Sequence, residues 1–429
     1  METYGCQMNK AESESILIAL TEAGWAEGSA TDADLVILNT CSVRETAEER
    51  IRGRLGYYRH QKQHRPLTLV LTGCMAERLK AKVLDEHPEV DVVVGTFSKK
   101  ELLAAVQSSE ERRASVVAAA DAEYSFAHLH SSRGTKAFVP IMHGCDNWCT
   151  YCIVPSVRGR EVSRSPDEII AEVTALSHRG VKEITLLGQN VNSYSWSADG
   201  RSILFPDLLR EVEAQAGSVQ WLRFLTSHPK DLSDRLLRVI AESRILCRHI
   251  HLPLQSGSTR ILGLMNRGYT AELYREKVRA IRSALTDASI TTDILIGFPG
   301  ESEKDFAETL AMMAEIGFDD AFTYHYNPRE GTRAFDMPDA IPPGVKRERL
   351  DRVIEAQRSI GSHKASERIG REVDVLVEGI SKKDSGELLA RTAWDAMVVF
   401  RGNPERIGSF ARVRLSSLAG NTFRAEALA

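Results

Sequence analysis

The segment HGCDNWCTYCIVPSVRGR spaces Cys145, Cys149 and Cys152 with three and then two residues between them, just after an apolar run that predicts a strand. A loop of that kind brings three thiolates to one centre. A cubane iron–sulfur cluster has four irons, so three thiolates leave one iron without a protein ligand, open to bind and activate a small molecule. Structural zinc is the bland alternative: His143 precedes Cys145 by two positions and would complete a tetrahedron, although structural zinc usually arrives as paired CxxC knuckles.

Cys6, Cys41 and Cys74 lie far apart in YGCQMN, NTCSVRE and TGCMAE, yet each ends or follows a predicted strand. Parallel strands bring such ends side by side, so the three predict a second open cluster, with the neighbouring glycines admitting close backbone approach. Taken singly, each reads as an ordinary buried thiol. Cys247 in RILCRHIHL falls outside both patterns and reads as a buried strand residue. Seven cysteines, an odd number behind a start (METYGCQMNKAESE) that is no secretory signal, argue against a disulfide framework and for the cytoplasm.

The elements that must position these groups follow from hydrophobic patterning. DLVILNT, LTLVLTG and VDVVVGT read as buried parallel strands separated by helices, giving an N-terminal α/β domain over 1–110. Only five residues precede Cys6, so the strand ahead of it is expected to be nearly absent. Residues 111–134 lack a sustained period and read as a linker. Over 135–364, AFVPIMHG, EITLLGQN, WLRFLTS, HIHLPLQ, SITTDILIGF and DAFTYHYN each precede a helical stretch, which predicts six strand–helix units wound into a partial barrel with functional groups at the C-terminal strand ends. Residues 365–429 alternate as short strands of a small antiparallel β-barrel. The formal charge of −4, with 43% hydrophobic and 27% charged residues, describes a globular chain and neither supports nor excludes a nucleic-acid partner. No window approaches the roughly 18 apolar residues of a membrane span.

Tyr151 before the last cysteine of the loop, together with the six-unit barrel, resembles the radical S-adenosylmethionine (SAM) superfamily. That resemblance implies a 4Fe-4S cluster on Cys145, Cys149 and Cys152 whose open iron chelates SAM and whose electron breaks it to a 5′-deoxyadenosyl radical. With the three N-terminal cysteine segments and the terminal barrel, the whole chain resembles the methylthiotransferase family. This implies a second, auxiliary 4Fe-4S cluster on Cys6, Cys41 and Cys74 that carries the sulfur, with SAM as both methyl donor and radical source. YGCQMN, NTCSVRE and HLPLQSGSTRILGLMNRGYT look like the branch that adds a methylthio group to C2 of N6-isopentenyladenosine beside the anticodon of tRNA. The Pro-Lys and Gly-Phe marks of the branch acting on a ribosomal protein aspartate are absent, and the threonylcarbamoyladenosine branch, marked by Lys-Val and Thr-Val, is the other alternative. An RNA-binding protein with structural metal is the non-enzymatic one.

The resemblance also assigns contacts. Gln189 and Asn190 in LLGQN fall where the family pairs with the SAM amino group, or they cap the next helix. Ser227, His228 and Gln255 are polar residues at other strand ends, and Gly297, with Gly300 and Glu301, is expected to hold adenosine through the backbone, unless the run is only a tight turn. Tyr324, Tyr326, Arg329, Gly331 and Thr332 would stack an extruded base, or simply pack on the following helix. The terminal barrel resembles the TRAM module, with Lys382, Lys383, Arg391, Arg401, Arg406, Arg412, Arg414 and Arg424 facing phosphate or merely solvent. The early run Arg44, Arg50, Arg52, Arg54, Arg59, Lys62 and Arg65 is either a solvated helix or an anticodon-stem contact. Expected partners are the tRNA anticodon stem-loop, a reductant such as flavodoxin or ferredoxin, and an unassigned sulfur donor; a monomer is expected.

Overall fold

The computed structural model describes residues 1–42, 45–107, 115–117, 134–198 and 200–428. The first domain carries a wholly parallel sheet in the order β1 (Glu2–Thr3), β2 (Leu35–Thr40), β3 (Thr68–Gly73), β4 (Val92–Val94) and β5 (Ser115–Val117). Its inner strands are apolar on both faces because helices cover both. Ile37, Val70, Val92 and Val94 meet Ile16 and Leu20 of α1 (Gln7–Glu22), whereas Val36, Leu38, Leu69 and Leu71 meet Ile51, Leu55 and Tyr58 of α2 (Glu45–Lys62). The strand ahead of Cys6 is two residues long and registers on β2, Glu2 opposite Leu38 and Thr3 opposite Asn39. β5 falls inside the stretch 111–134 expected as a linker; most of that stretch, like Arg44 of the early basic run, lies outside the described residues.

The second domain has the six expected strands: β6 (Lys136–Pro140), β7 (Glu183–Leu187), β8 (Trp221–Phe224), β9 (His249–His251), β10 (Ser289–Ile296) and β11 (Asp320–His325). β6, β7 and β8 pair in parallel, as do β9, β10 and β11. The two halves join where Leu222 N–H donates to the Ile245 carbonyl at 2.8 Å and Cys247 N–H to that of Leu222 at 2.9 Å. The result is a continuous, open six-strand barrel with β6 and β11 as its edges. Apolar strand residues such as Val139, Ile184, Leu186, Leu222, Ile250 and Ile294 form one core with the outer helices. The 24-residue helix Pro343–Ser366 runs beside β11.

The terminal barrel is closed by five strands, β12 (Glu372–Ile380), β13 (Glu387–Thr392), β14 (Met397–Arg401), β15 (Phe410–Ala419) and β16 (Thr422–Ala427). It differs from the expected antiparallel pattern at one seam, where β14 and β16 pair in parallel; alternation along a strand is the same for either direction, so patterning does not reveal it. Arg223 fastens this barrel to the second domain, donating to the Thr392 and Ala393 carbonyls at 2.7 and 2.8 Å and to Glu183 at 2.9 Å. Cys247 is buried beside it with Trp221 and Leu376. Among the described residues no helix is long and apolar enough to cross a membrane.

Candidate active site

The three first-domain cysteines stand at the C-terminal ends of adjacent strands. Cys6 precedes α1, Cys41 follows β2, and Cys74 opens the short helix Cys74–Leu79 after β3. Gly5 has φ +136°, and a Cβ there would come within 2.6 Å of Cys41 Cβ, so only glycine lets the β1 end approach Cys41. Asn9 organises the site: its Nδ2 donates to the Thr40 carbonyl at 2.9 Å and to Asn39 Oδ1 at 3.1 Å, while its Oδ1 accepts from Cys6 Sγ at 3.3 Å. Asn39 returns a bond to the Asn9 carbonyl at 2.9 Å. Burial pushes the Cys74 thiol up, and the neighbouring Cys6 adds to the effect.

The loop of Cys145, Cys149 and Cys152 closes on itself and on the segment that follows β9. Cys145 N–H donates to the Gly159 carbonyl at 3.1 Å and Cys152 N–H to that of Cys149 at 3.0 Å. Gly144, at φ +75°, has no room for a Cβ, which would lie 1.9 Å from the Arg160 carbonyl oxygen. Thr150 bonds to the Met265 and Leu264 carbonyls at 3.0 and 2.9 Å, and Asn266 Nδ2 donates to the Trp148 carbonyl at 3.0 Å, holding Trp148 at φ +49°. Arg267, buried, donates to Cys149 Sγ at 3.3 Å. The Cys152 thiol is pushed up to about 12 by burial and then by the Cys149 and Cys145 thiols beside it, which places the three in one electrostatic neighbourhood.

Arg158, six residues beyond Cys152, reaches from this loop into the first domain. Its guanidinium donates to Glu12 Oε1 at 2.8 Å and Oε2 at 3.3 Å, to Asn9 Oδ1 at 3.4 Å, and lies 3.4 Å from His143 Nδ1. Burial opposes its charge, but Cys74, Glu12 and Cys6 outweigh it and hold the guanidinium protonated. Burial likewise opposes the Glu12 carboxylate, and Arg158 and Lys99 hold it well below the usual carboxylate range. His143 thus faces Arg158 and, edge to face at 6.0 Å, Phe97 of the first domain. Among the described residues no three Cys, His, Asp or Glu side chains form a group that could hold a single metal ion; a cubane instead gives each thiolate its own iron.

One cavity of about 1060 Å³ joins the two cysteine sets. Cys6, Met8 and Ser42 line it from the first domain, Tyr151 and Cys152 from the loop, and Gly188, Gln189 and Gln255 from the strand ends. It continues past Tyr326 and Arg329 to Arg391 and Trp394 of the terminal barrel. Cys41, Cys74, Cys145, Cys149, Asn190, Ser227 and Gly297 are not among the residues that line it. Asn190 makes no side-chain cap and donates to Asp231 at 2.7 Å, so the capping alternative does not describe it. Asn190 Oδ1, Ser227 Oγ and His228 Nε2 are buried with no hydrogen-bond partner among the described residues, which fits a polar cofactor at these strand ends. The His228 imidazole is held down to about 2 by burial, then by Arg267 and Lys230, so it is neutral at physiological pH.

Other expected contacts also meet neighbours within the protein, Tyr326 through its ring only, since its buried hydroxyl has no hydrogen-bond partner among the described residues. Gly297, at φ +69°, donates its N–H to Glu301 Oε2 at 3.0 Å, and a Cβ on it would meet Lys346 Cγ at 2.6 Å. Tyr326 packs edge to face on Phe298 at 5.4 Å with Lys346 over its ring, as the packing alternative anticipates, although it also lines the cavity. Arg329 pairs with Glu48 of the first domain at 3.4 Å. Of the basic residues on the terminal barrel, Arg391, Arg412, Arg414 and Arg424 pair with acids of that same barrel; of the early run, Arg54, Arg59 and Lys62 pair with Glu2, Glu89 and Asp91. Sequence reasoning missed Asn9, Glu12, Arg158, Asn266 and Arg267. The signal for the last three was their place inside the two motifs already quoted; for Asn9 and Glu12 it was a polar run at the start of an otherwise amphipathic helix.

Comparison with known proteins gives three family matches: residues 1–95 to the uncharacterized protein family UPF0004, 139–313 to the radical SAM superfamily, and 367–428 to the TRAM domain. The chain is 48% identical to a tRNA-2-methylthio-N(6)-dimethylallyladenosine synthase of Treponema denticola, over 99% of this chain and 98% of the relative. It is 43% identical to the protein of the same name from Phocaeicola vulgatus, over 99% of this chain and 95% of the relative. Among solved structures it is similar to the radical S-adenosylmethionine methyltransferase TsrM of Kitasatospora setae, with TM-score 0.58 and 14% identity over 76% of this chain and 70% of that one, a likeness of fold.

Proposed function

Because the chain belongs to the family of tRNA-2-methylthio-N(6)-dimethylallyladenosine synthases, we propose that it adds a methylthio group to C2 of N6-isopentenyladenosine beside the anticodon of tRNA. Its radical SAM domain entails one 4Fe-4S cluster and SAM. A second 4Fe-4S cluster on Cys6, Cys41 and Cys74 belongs to the proposal. The observation that carries it is that Cys6 and Cys152, one from each cysteine set, line the same cavity.

When bound, the two clusters and SAM supply the radical, the methyl group and the sulfur. The chain's own residues do the rest. Cys145, Cys149 and Cys152 hold the radical cluster with Arg267 as the adjacent positive charge. Asn190, Ser227 and neutral His228 offer unpaired polar atoms to SAM, with Gln189 and Gln255 on the cavity wall. Met8, Ile153, Leu187 and Leu225 give that wall apolar stretches, which exclude water from a reactive radical. Tyr326 and Arg329, at the end of β11, border the path by which an extruded base would arrive. The partners are the tRNA anticodon stem-loop and a reductant such as flavodoxin or ferredoxin, and the enzyme works as a cytoplasmic monomer of three domains.

Two measurements test this. Anaerobically purified protein should be brown and carry about eight irons per chain, from two cubanes of four; colourless zinc protein would sink the enzyme reading. Mass analysis of tRNA nucleosides should show the methylthio group disappearing when the gene is deleted and returning on complementation. Its persistence in the deletion strain would refute the tRNA assignment.

A further inference from the structure

Arg158 is 2% exposed and belongs by sequence to the radical loop, yet every polar group its side chain meets on the first domain lies around Cys6 and Cys74. Asn9 Oδ1 accepts both from Arg158 Nη2 at 3.4 Å and from Cys6 Sγ at 3.3 Å, so the guanidinium is one hydrogen-bonded residue from that cysteine. Cys74 packs against Ile153 and Val157, the latter adjacent to Arg158. Thr96 Oγ1 donates to the Val157 carbonyl at 2.6 Å, and Gly159 sits against Phe97. On its other side the same segment holds the radical loop, since the Gly159 carbonyl accepts from Cys145 N–H at 3.1 Å.

Basic and acidic groups at this junction are not matched one to one. Among the described residues Arg158 and Lys99 both pair with the carboxylate of Glu12, at 2.8 and 2.6 Å, two basic groups to one acid in a buried network; burial pushes the Lys99 amine down, so Arg158 is the cation held most firmly. Buried charge is retained only where something compensates it. A cubane on three thiolates is anionic and becomes more so on reduction, so a firmly held cation is the complement such a site requires.

We propose that Arg158 is a positioning residue for the first-domain site: its guanidinium is the built-in counter-charge of the cluster on Cys6, Cys41 and Cys74, and its backbone ties that site to the loop of Cys145. This rests on reading those three cysteines as cluster ligands. Arg158 thereby helps set the reduction potential of the sulfur-bearing cluster, because a positive charge nearby favours the more negative, reduced state.

The test is an anaerobic redox titration followed by electron paramagnetic resonance, on full-length enzyme whose Cys145, Cys149 and Cys152 are replaced by Ala so that the signal comes from the first-domain cluster. R158Q should shift the midpoint potential negative, R158K should return most of the shift, E12Q should shift it positive, and E12Q/R158Q should fall near the starting value. A role in folding alone would not give opposite signs that cancel. An unshifted potential in R158Q, or a shift in R158K as large as in R158Q, would overturn the inference. Should R158Q not retain iron, the charge-balanced E12Q/R158Q decides: a retained cluster near the starting potential supports the inference, and loss of iron with an unchanged Tm overturns it. About four irons per chain in the unsubstituted enzyme, from one cubane, would instead refute the two-cluster reading itself.

Discussion

Replacing Arg267 with Met should weaken the radical cluster far more than it weakens the fold. The guanidinium has four polar contacts, Cys149 Sγ at 3.3 Å, Tyr151 Oη at 3.4 Å, Tyr269 Oη at 3.3 Å and the Pro253 carbonyl at 3.3 Å, and none of the four is a carboxylate. Burial opposes its charge, which Tyr151, Tyr269 and Cys149 sustain. In protein stripped of iron, Met removes a desolvated cation along with its bonds; exchanging buried ionic groups for apolar ones of similar volume is often neutral, so a change within about 1 kcal/mol is expected. With a cluster on Cys149, the guanidinium faces a thiolate, and removing one member of a buried pair costs about 3–5 kcal/mol. At about 1.4 kcal/mol per decade, that is roughly two to three and a half decades in iron retention. The assay equilibrates reconstituted enzyme anaerobically with a competing iron chelator, with thermal unfolding of iron-free protein alongside. If R267M kept its iron as firmly as the unsubstituted enzyme, or lost as much stability without iron as with it, the charge-pairing argument would fail.

Three further outcomes follow from the same geometry. Cys149→Ala should abolish 5′-deoxyadenosine formation, while Cys41→Ala should leave part of it and end methylthio transfer; equal loss of both products in a chromatographic assay would count against separate roles. Glu301→Ala should cost about 3 kcal/mol in urea unfolding, near the lower end for a broken buried pair, because Arg349 loses a 2.7 Å carboxylate partner but keeps the Glu301 carbonyl at 3.1 Å and Glu303 at 3.2 Å. Assembly of the radical cluster should quicken as pH rises from about 7 to about 9: burial and the neighbouring thiols push Cys152 up to about 12, ligation requires the thiolate, and the thiolate fraction grows about tenfold per pH unit below the pKa. Reconstitution followed by cluster absorbance at the two pH values reads this directly, and a flat profile contradicts it.

The strands were legible because parallel strands covered on both faces are near-continuous apolar runs, as LVILNT and TLVLTG are. That three distant cysteines end such runs was equally readable, since parallel order alone brings those ends together. What sequence could not show was pairing at a distance. Arg158 and Glu12 are 146 residues apart, and nothing local marks either as the partner of the other. For the terminal barrel's basic residues the sequence left a phosphate-facing surface and a merely solvated one open, and cross-strand pairing was again what it could not show: Arg412 and Arg414 face Asp374 and Glu372 on the neighbouring strand. Ser115–Val117 was hidden because three residues are too few to establish a period, and a strand that short owes its place to β4 rather than to its own pattern.

The shared cavity follows from how two parallel sheets meet. In each domain the residues proposed for chemistry stand at the strands' C-terminal ends, where open parallel sheets and β/α barrels generally carry it: Cys6, Cys41 and Cys74 after β1, β2 and β3, and the loop of Cys145 together with Gln189, Ser227 and Gln255 beyond β6 to β9. α1 lies against β6, the open edge of the barrel, through Met8 and Ala11 with Phe138 and Leu187. That contact turns the first sheet's functional ends toward the barrel's and seals the edge that six strands leave open. Had the first domain packed on the barrel's outer helices instead, each cysteine set would face its own solvent-filled mouth, and an atom activated at one would have no dry path to the other. The buried Arg158–Glu12 pair is the polar counterpart of this apolar seam. Its bidentate geometry tolerates little sliding of one domain over the other, so the side chain proposed as the first site's counter-charge also helps fix the separation of the two sites.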